Sequence, residues 1–307
     1  MGYKRAGFNV VGNVEIDPRV NEIYKKNNHP KYNYLMDLRD FNKIPNDDLP
    51  DELFHLDILD GSPPCSTFST AGKREKGWGV EKVFREGQKR QRLDDLFFVF
   101  LDTVEKLKPK VVVAENVTGI IKANARGYCT EIINRFRELG YDVQVFKLNA
   151  AVMDVPQARE RVFFIANNQK YPKLNLKFNG TPIRFGTVRS QYPGAQPGEK
   201  IKNVLSHRQP TDLDLSSINL RLYGKYTMFT STINWDNRVA FTLTASGSQY
   251  RGCDGTCFTT EDCRNVSTFP QDYDFGNQQA QYICGMSVPP NMTAHIAEEI
   301  WKQWLRK

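Results

Sequence analysis

The sequence predicts an α/β protein built on a largely parallel sheet, and three observations carry that prediction. Short apolar runs of strand character alternate with amphipathic helical stretches through the first half of the 307 residues. Such alternation implies βαβ units, with helices covering both faces of the sheet. Several of the runs end on an acid or a reactive side chain, as expected at the carboxyl edge of an open sheet, where ligands bind. From about residue 167 to 261 the rhythm is lost, and Pro, Gly, Asn and Ser become frequent. That change marks a second, smaller, irregular and β-rich domain.

The elements follow in order. FNVVGNVEI is strand-like and ends near Glu15, and RVNEIYKKN has helical spacing. LDILDGS is a strand running into a turn, and LDDLFFVFLDTVEKL is a long amphipathic helix. KVVVAENV is an apolar strand, CTEIINRFRELG a helix ended by Gly140, and RVFFIA a further strand. These calculations of period rest on 3.6 for helices and 2 for strands. In the middle region, YTMFTSTI and VAFTLTAS are β-type runs. TAHIAEEIWKQWL returns to helical spacing, with Ile296, Ile300, Trp301 and Trp304 along one face. The division expected is 1–168 for a catalytic and cofactor-binding domain, 169–262 for a recognition domain, and 263–307 returning to the first. No internal repeat or low-complexity tract interrupts it.

Hydrophobic residues make up 40% and charged residues 25%, a globular balance. No apolar run approaches the roughly 20 residues that span a bilayer, so no membrane partner is expected. The first residues lack the pattern of a secretory signal, which points to a cytoplasmic setting. The net charge of +7 suits a polyanion. The six cysteines then read as thiols rather than as a disulfide framework. Three lie close together in CDGTCFTTEDC, but paired CxxC units are lacking, so no metal is expected.

Three segments carry chemistry. In LDILDGSPPCSTFSTAG, Pro63 and Pro64 stiffen the turn and hold Cys65 at its tip. A free thiol has a pKa of about 8.5, which makes Cys65 a usable nucleophile. An isolated cysteine is more often a buried structural residue, and the Pro-Pro-Cys loop is what moves the balance. In VVVAENV, Glu115 and Asn116 follow an apolar strand, where a carboxyl can have a raised pKa and donate a proton. A turn or cap role is equally compatible with that tripeptide. In VPQARERVFFIA, Arg159 and Arg161 alternate and so share a face. Two guanidiniums there can clamp a carboxylate and a carbonyl oxygen, or simply form a charged strand edge.

Taken together, PPCSTFS at 63–69, ENV at 115–117 and QARER at 157–161 closely resemble the DNA cytosine-5 methyltransferase family. CRNVSTFPQDYDF at 263–275 and GMSVPPNMTAHIAEEI at 285–300 resemble its last two motifs. The resemblance covers nearly the whole chain except the variable middle. It implies a Rossmann-like methyltransferase sheet and methyl transfer from S-adenosylmethionine to C5 of a flipped-out cytosine in a specific double-stranded DNA sequence. Extruding that base costs a few kcal/mol. By the resemblance, Cys65 attacks C6, Glu115 bonds N3 and N4, Arg161 holds O2, Arg159 braces Glu115, and Asn116 orders the Cys65 loop. Glu15 would bind the ribose hydroxyls, Ile16 the adenine face, and Asp37 with Leu38 the adenine amino side. Pro64, Leu96, Ser287 and Val288 match further cofactor positions. The stretch from Ser66 to Arg92 carries Lys73, Arg74, Lys76 and Arg85 among glycines, and matches the loop that closes over DNA. The middle domain would read the DNA sequence, with Arg184, Arg189, Lys200, Lys202, Arg221, Lys225 and Arg251 as candidate contacts. A monomer and a restriction endonuclease partner system are further implications.

The chain also departs from the family. The family opens with a strand and a Phe-x-Gly-x-Gly turn before the equivalent of Ala6-Gly7-Phe8, and Met1 falls after that point. That strand is central in the family's sheet, so two inner edges are expected to be unpaired, whether the segment lies upstream or comes from another chain. Met286 replaces the usual Asn, and Asp154 stands where Gly is common. An inactive DNA-binding remnant and the family's tRNA-methylating branch are the alternative readings.

Overall fold

A computed structural model describes residues 1–64, 96–122, 125–228 and 230–306. The chain forms two compact units. One, here the sheet unit, comprises residues 10–148, 160–176 and 299–307. The other, the loop-rich unit, comprises 1–9, 149–159 and 177–298, so it takes in most of the 263–307 segment as well as the middle region.

The chain begins with one helical turn, α1 (Gly2–Arg5), in the loop-rich unit. The sheet unit then opens with β1 (Gly12–Glu15), α2 (Pro18–Asn28), β2 (Tyr32–Leu35) and α3 (Leu38–Lys43). Asp17 caps α2 by accepting from the Arg19 N–H at 2.9 Å, and Pro18 occupies the first turn, where its missing N–H costs nothing. Next come β3 (Ile58–Gly61), α4 (Leu96–Leu107), β4 (Val111–Val117), α5 (Arg126–Glu138) and β5 (Asp142–Asn149). After β6 (Gln157–Ala158), a short strand of the loop-rich unit, β7 (Glu160–Asn167) returns to the sheet. The helix expected to stop at Gly140 does so: Gly140 has φ 82° and its N–H bonds to the Arg137 carbonyl.

Strand order is β3-β4-β7-β5 in one sheet and β1-β2 in another. β3 and β4 are parallel, as are β1 and β2, while β4 and β7 are antiparallel. Val111 to Ala114 are fully buried, and Val112 and Ala114 form the centre of a core with Phe97, Leu101, Ile132, Phe136 and Phe164. Among the described residues β1 pairs with β2 alone and β3 with β4 alone. No residue of β1 or β3 is fully buried. Val14 and Leu59 nevertheless pack against one apolar cluster, around Phe41, Leu53 and Leu107. Three amides, Asn13, Asn21 and Asn33, bond to one another at 2.6–3.2 Å and fasten α2 to the β1-β2 pair.

The loop-rich unit contains α6 (Glu199–Ser206), α7 (Leu215–Tyr223), β8 (Thr232–Asn234), β9 (Ala240–Phe241), β10 (Gln249–Arg251), α8 (Thr260–Val266), α9 (Ala280–Met286) and α10 (Pro290–Ile300). β8 pairs with β10 and β6 with β9, both parallel. The middle region therefore has fewer strand residues than its composition suggests. Its two helices escape notice because each is about two turns long and only Leu205, Leu215 and Ile218 anchor them in a local core with Ile233 and Tyr250. The C-terminal face also differs from expectation. A π turn, Trp301–Leu305, follows α10 and rotates Trp301 outward to 47% exposure, while Ile300 and Trp304 stay buried.

Asp154 has φ 52°, which explains why glycine suits that position. Its Oδ2 lies 2.8 Å from His295 Nε2, and its carbonyl accepts from Asn291. Asp154→Ala is expected to cost about 1 kcal/mol, and Asp154→Gly less, because glycine removes the strain that alanine keeps. Chemical denaturation of the two variants checks the order.

Candidate active site

The geometry of the site follows from strand register. Gly61 pairs with Ala114 across parallel strands, so the turn after β3 and the Glu115-Asn116 pair lie at one carboxyl edge. Gly61 is required there, since a Cβ would sit 2.3 Å from the Phe100 ring. Asn116 is buried, and its Nδ2 donates to the Pro63 carbonyl at 3.2 Å, two residues before Cys65. Its Oδ1 accepts from the Val117 N–H at 2.9 Å, which fixes the amide's orientation. Cys65 itself lies outside the described residues, as do Ser66, Lys73, Arg74, Lys76 and Arg85.

Across the β4-β7 ladder Arg161 stands opposite Val117, which makes Glu115 its diagonal neighbour on the same face. Arg161 Nε and Glu115 Oε1 are 2.8 Å apart, with the two side chains 14% and 12% exposed. Burial lowers the pKa of the Arg161 guanidinium, and Glu115 opposes that shift. The site thus holds a desolvated ion pair whose members can exchange each other for a polar ligand.

Arg159 is held by backbone carbonyls of its own unit. It is 2% exposed in the loop-rich unit. Its Nη1 donates to the Leu243 carbonyl at 2.9 Å and its Nη2 to the Gly285 carbonyl at 3.0 Å. Gln157, fully buried, bonds Val266 and Ser267 through Nε2 and takes the Leu243 N–H on Oε1. Sequence reasoning passed over Gln157 and Gly285. The alternation of residues 157 and 159 was the available signal, since it places both side chains on one face.

The candidate cofactor residues lie at the carboxyl ends of β1 and β2. Glu15 pairs in register with Leu35, and Asp37 follows two residues later. Burial raises the pKa of Glu15, and its Oε1 accepts the Asp17 N–H at 2.8 Å. Asp37 also caps α3, accepting the Arg39 N–H at 2.8 Å. Ile16, Leu38, Pro64 and Leu96 are half-buried in the same unit. Ser287 and Val288 follow α9 in the loop-rich unit, with Ser287 Oγ donating to the Ile283 carbonyl at 2.7 Å. Two carboxylates at one strand edge suit hydroxyl and amino protons of a nucleoside, and flanking aliphatic groups suit its base.

Glu15→Gln separates stability from binding. A carboxyl whose folded pKa is raised favours the fold at pH below its unfolded value and loses that contribution as pH rises through the folded value. At neutral pH the buried carboxylate is therefore a cost, and the amide is expected to raise the melting temperature. The gain should vanish in acid. Cofactor affinity should fall by about tenfold or more, through loss of a charge-assisted bond. Thermal melts across pH and titration calorimetry check both.

Of the other cysteines, burial raises the thiol pKa at Cys129, Cys257, Cys263 and Cys284, the last to about 12. None of these four is a ready nucleophile. Among the described residues, no group of three or more His, Cys, Asp or Glu side chains could hold a metal ion. No helix among them is long and apolar enough to cross a membrane.

The candidate DNA contacts separate by burial. Arg251 is 1% exposed and bonds the carbonyls of Ser190 and Tyr192. Arg189 pairs with Asp236 at 3.0 Å, and Arg221 with Asp212 at 2.7 Å. Arg184, Lys200, Lys202 and Lys225 are exposed.

The family model for C-5 cytosine-specific DNA methylase matches residues 1–302. The chain is 28% identical over 331 residues to the type II methyltransferase M1.HphI of Haemophilus parahaemolyticus, covering 98% of this chain and 83% of that protein. It is 29% identical over 333 residues to M.Sau96I of Staphylococcus aureus, covering 98% and 72%. Among solved structures, one described as a DNA modification methyltransferase of an E. coli prophage superposes with a TM-score of 0.71 at 18% identity, covering 99% of this chain and 95% of that one. The Dnmt2 methyltransferase of S. pombe gives 0.62 at 16%, covering 98% and 93%. The chain belongs to the C-5 cytosine-specific DNA methylase family.

Proposed function

We propose that this enzyme methylates C5 of a cytosine extruded from a specific duplex sequence, with Cys65 as nucleophile and S-adenosylmethionine as methyl donor. The observation that carries the reading is the Glu115–Arg161 pair beside the Asn116–Pro63 bond, at the strand edge from which Cys65 follows. When bound, the cofactor supplies an electrophilic methyl group. Glu15 and Asp37 hold its hydroxyl and amino groups, with Ile16, Leu38, Pro64 and Leu96 against the apolar parts.

The protein's own groups then act as follows. The Cys65 thiolate bonds to C6 of cytosine, and the electron pair of the C5–C6 double bond moves to C5. Glu115, protonated while the base is bound, donates to N3 and accepts from the N4 amino group, which relieves the negative charge that addition places on the ring. Arg161 is positioned to bond O2 while keeping Glu115 paired. Asn116 fixes the carbonyl of Pro63 and thereby the start of the Cys65 loop. Once C5 carries the methyl group, a base takes the C5 proton, the C5–H electron pair re-forms the C5–C6 double bond, and the C6–S pair leaves with the Cys65 thiolate, which frees the enzyme. The basic segment 66–92 would follow the phosphates. Relatives bearing type II names suggest a restriction endonuclease partner.

Mapping 5-methylcytosine in a methylation-free bacterial host tests the reading. Methylation at a short defined sequence is expected, and Cys65→Ala should abolish it. Methylation that persists in Cys65→Ala, or none at all from folded parent protein, would overturn it.

A further inference from the structure

Arg39 meets both oxygens of the Asp37 carboxylate. Its backbone N–H donates to Oδ1 at 2.8 Å, the bond that caps α3. Its side chain turns back on the same group, with Nη1 at 3.5 Å from Oδ1 and 3.3 Å from Oδ2. The two side chains are partly shielded, Asp37 at 21% and Arg39 at 30% exposure. Between them in the chain, Leu38 packs against two apolar clusters, one containing Phe41 and Leu107 and one containing Phe97 and Leu101. The backbone at the start of α3 is therefore fixed, and the carboxylate starts from a fixed Cα.

Helix stability does not account for this arginine. The first turn of a helix carries the positive end of its dipole, where a guanidinium is disfavoured. The cap needs only the backbone N–H of residue 39, which any residue but proline supplies. An ion pair this open to water contributes little to the fold. What the guanidinium adds is orientation. A carboxylate bonded at one oxygen can still swing about that bond, whereas a cation reaching both oxygens fixes its plane. Oδ2, which takes no backbone bond, is then the oxygen aimed at a ligand. An exocyclic amino group donates in the plane of its ring, so it rewards an acceptor with a fixed plane. We propose that Arg39 is a positioning residue for the cofactor, holding the Asp37 carboxylate so that it selects an amino group over a carbonyl oxygen at C6 of the purine; this rests on the S-adenosylmethionine reading proposed above. Arg39 acts on binding and not on methyl transfer, so it changes KM for the cofactor and leaves kcat alone.

The test titrates the full chain with S-adenosylhomocysteine and with S-inosylhomocysteine, in which a carbonyl oxygen replaces the amino group. The parent should prefer the adenosyl compound. Arg39→Ala should weaken adenosyl binding about tenfold while leaving inosyl binding and melting temperature at the parent's values. Arg39→Lys should recover part of the loss, since an ammonium reaches the same carboxylate without the planar fork. In methylation assays of Arg39→Ala, KM for S-adenosylmethionine should rise by the same factor with kcat unchanged. Asp37→Asn keeps a capping side chain and should lose the preference by itself. Arg39→Ala added to Asp37→Asn should then change nothing further, because the two act through one carboxylate. An Arg39→Ala protein that keeps the parent's preference would overturn the role of Arg39 alone. So would an equal loss for both compounds, or a loss additive with Asp37→Asn, since Arg39 would then act on the fold or on the ligand directly. A folded parent that binds neither compound would overturn the cofactor reading itself.

Discussion

Arg161→Ala is expected to destabilise the sheet unit by about 3 kcal/mol and to lower kcat by about a hundredfold or more. The stability loss comes from Glu115, a carboxylate 12% exposed that loses the Arg161 Nε at 2.8 Å. The lower end of the range for breaking a buried pair applies, because the residual exposure lets water reach the carboxylate. A second change tells the two effects apart. Replacing both partners, as Glu115→Gln with Arg161→Met, removes both charges and should recover most of the stability, since an apolar pair of similar volume is often as stable as a buried ion pair. Activity should not recover, because neither N3 nor O2 of the base would then meet its bonding group. Denaturant melts and single-turnover methylation of a duplex give the two numbers. Recovery of activity in the double variant would show the pair to be structural only.

How much of this was legible in the sequence depends on where each residue's neighbours come from. The strands at Val111–Val117 and Glu160–Asn167 hold apolar runs whose burial follows from composition, whereas Gly12–Glu15 and Ile58–Gly61 stand at the ends of apolar runs and are only partly buried. β5 escaped notice because it is half-exposed along its length and reads as a polar segment. Helices α6 and α7 were hidden for a related reason: their anchoring contacts lie in β8 and β10, far along the chain. The Glu115–Arg161 pair was half legible. Each residue stood out at a strand end, but their pairing needs the antiparallel register of β4 and β7, which no local pattern contains. Asn116 bonding to Pro63 likewise joins residues 53 apart in the chain.

Arg159→Ala should cost the loop-rich unit about 3–5 kcal/mol, as much as any single change in the molecule. Its terminal nitrogens donate to two carbonyls, those of Leu243 and Gly285. Removing it leaves both oxygens buried without a donor and opens a cavity the size of a long side chain. Lysine cannot substitute, since one ammonium on a flexible stem does not reproduce the planar fork that reaches two oxygens in fixed directions. Gly285→Ala should fail by a complementary route. Its Cβ would stand 2.4 Å from the backbone of Thr244 and Ala245, so the segment that carries the Leu243 carbonyl would be pushed away from Arg159. Because both changes strike one junction, their effects should be far from additive: the double variant should be little worse than either single one. Limited proteolysis and melting of the three variants check this. Additive losses would mean that Arg159 and Gly285 act separately. A folded Arg159→Ala protein with kcat reduced more than a thousandfold would return Arg159 to the chemistry.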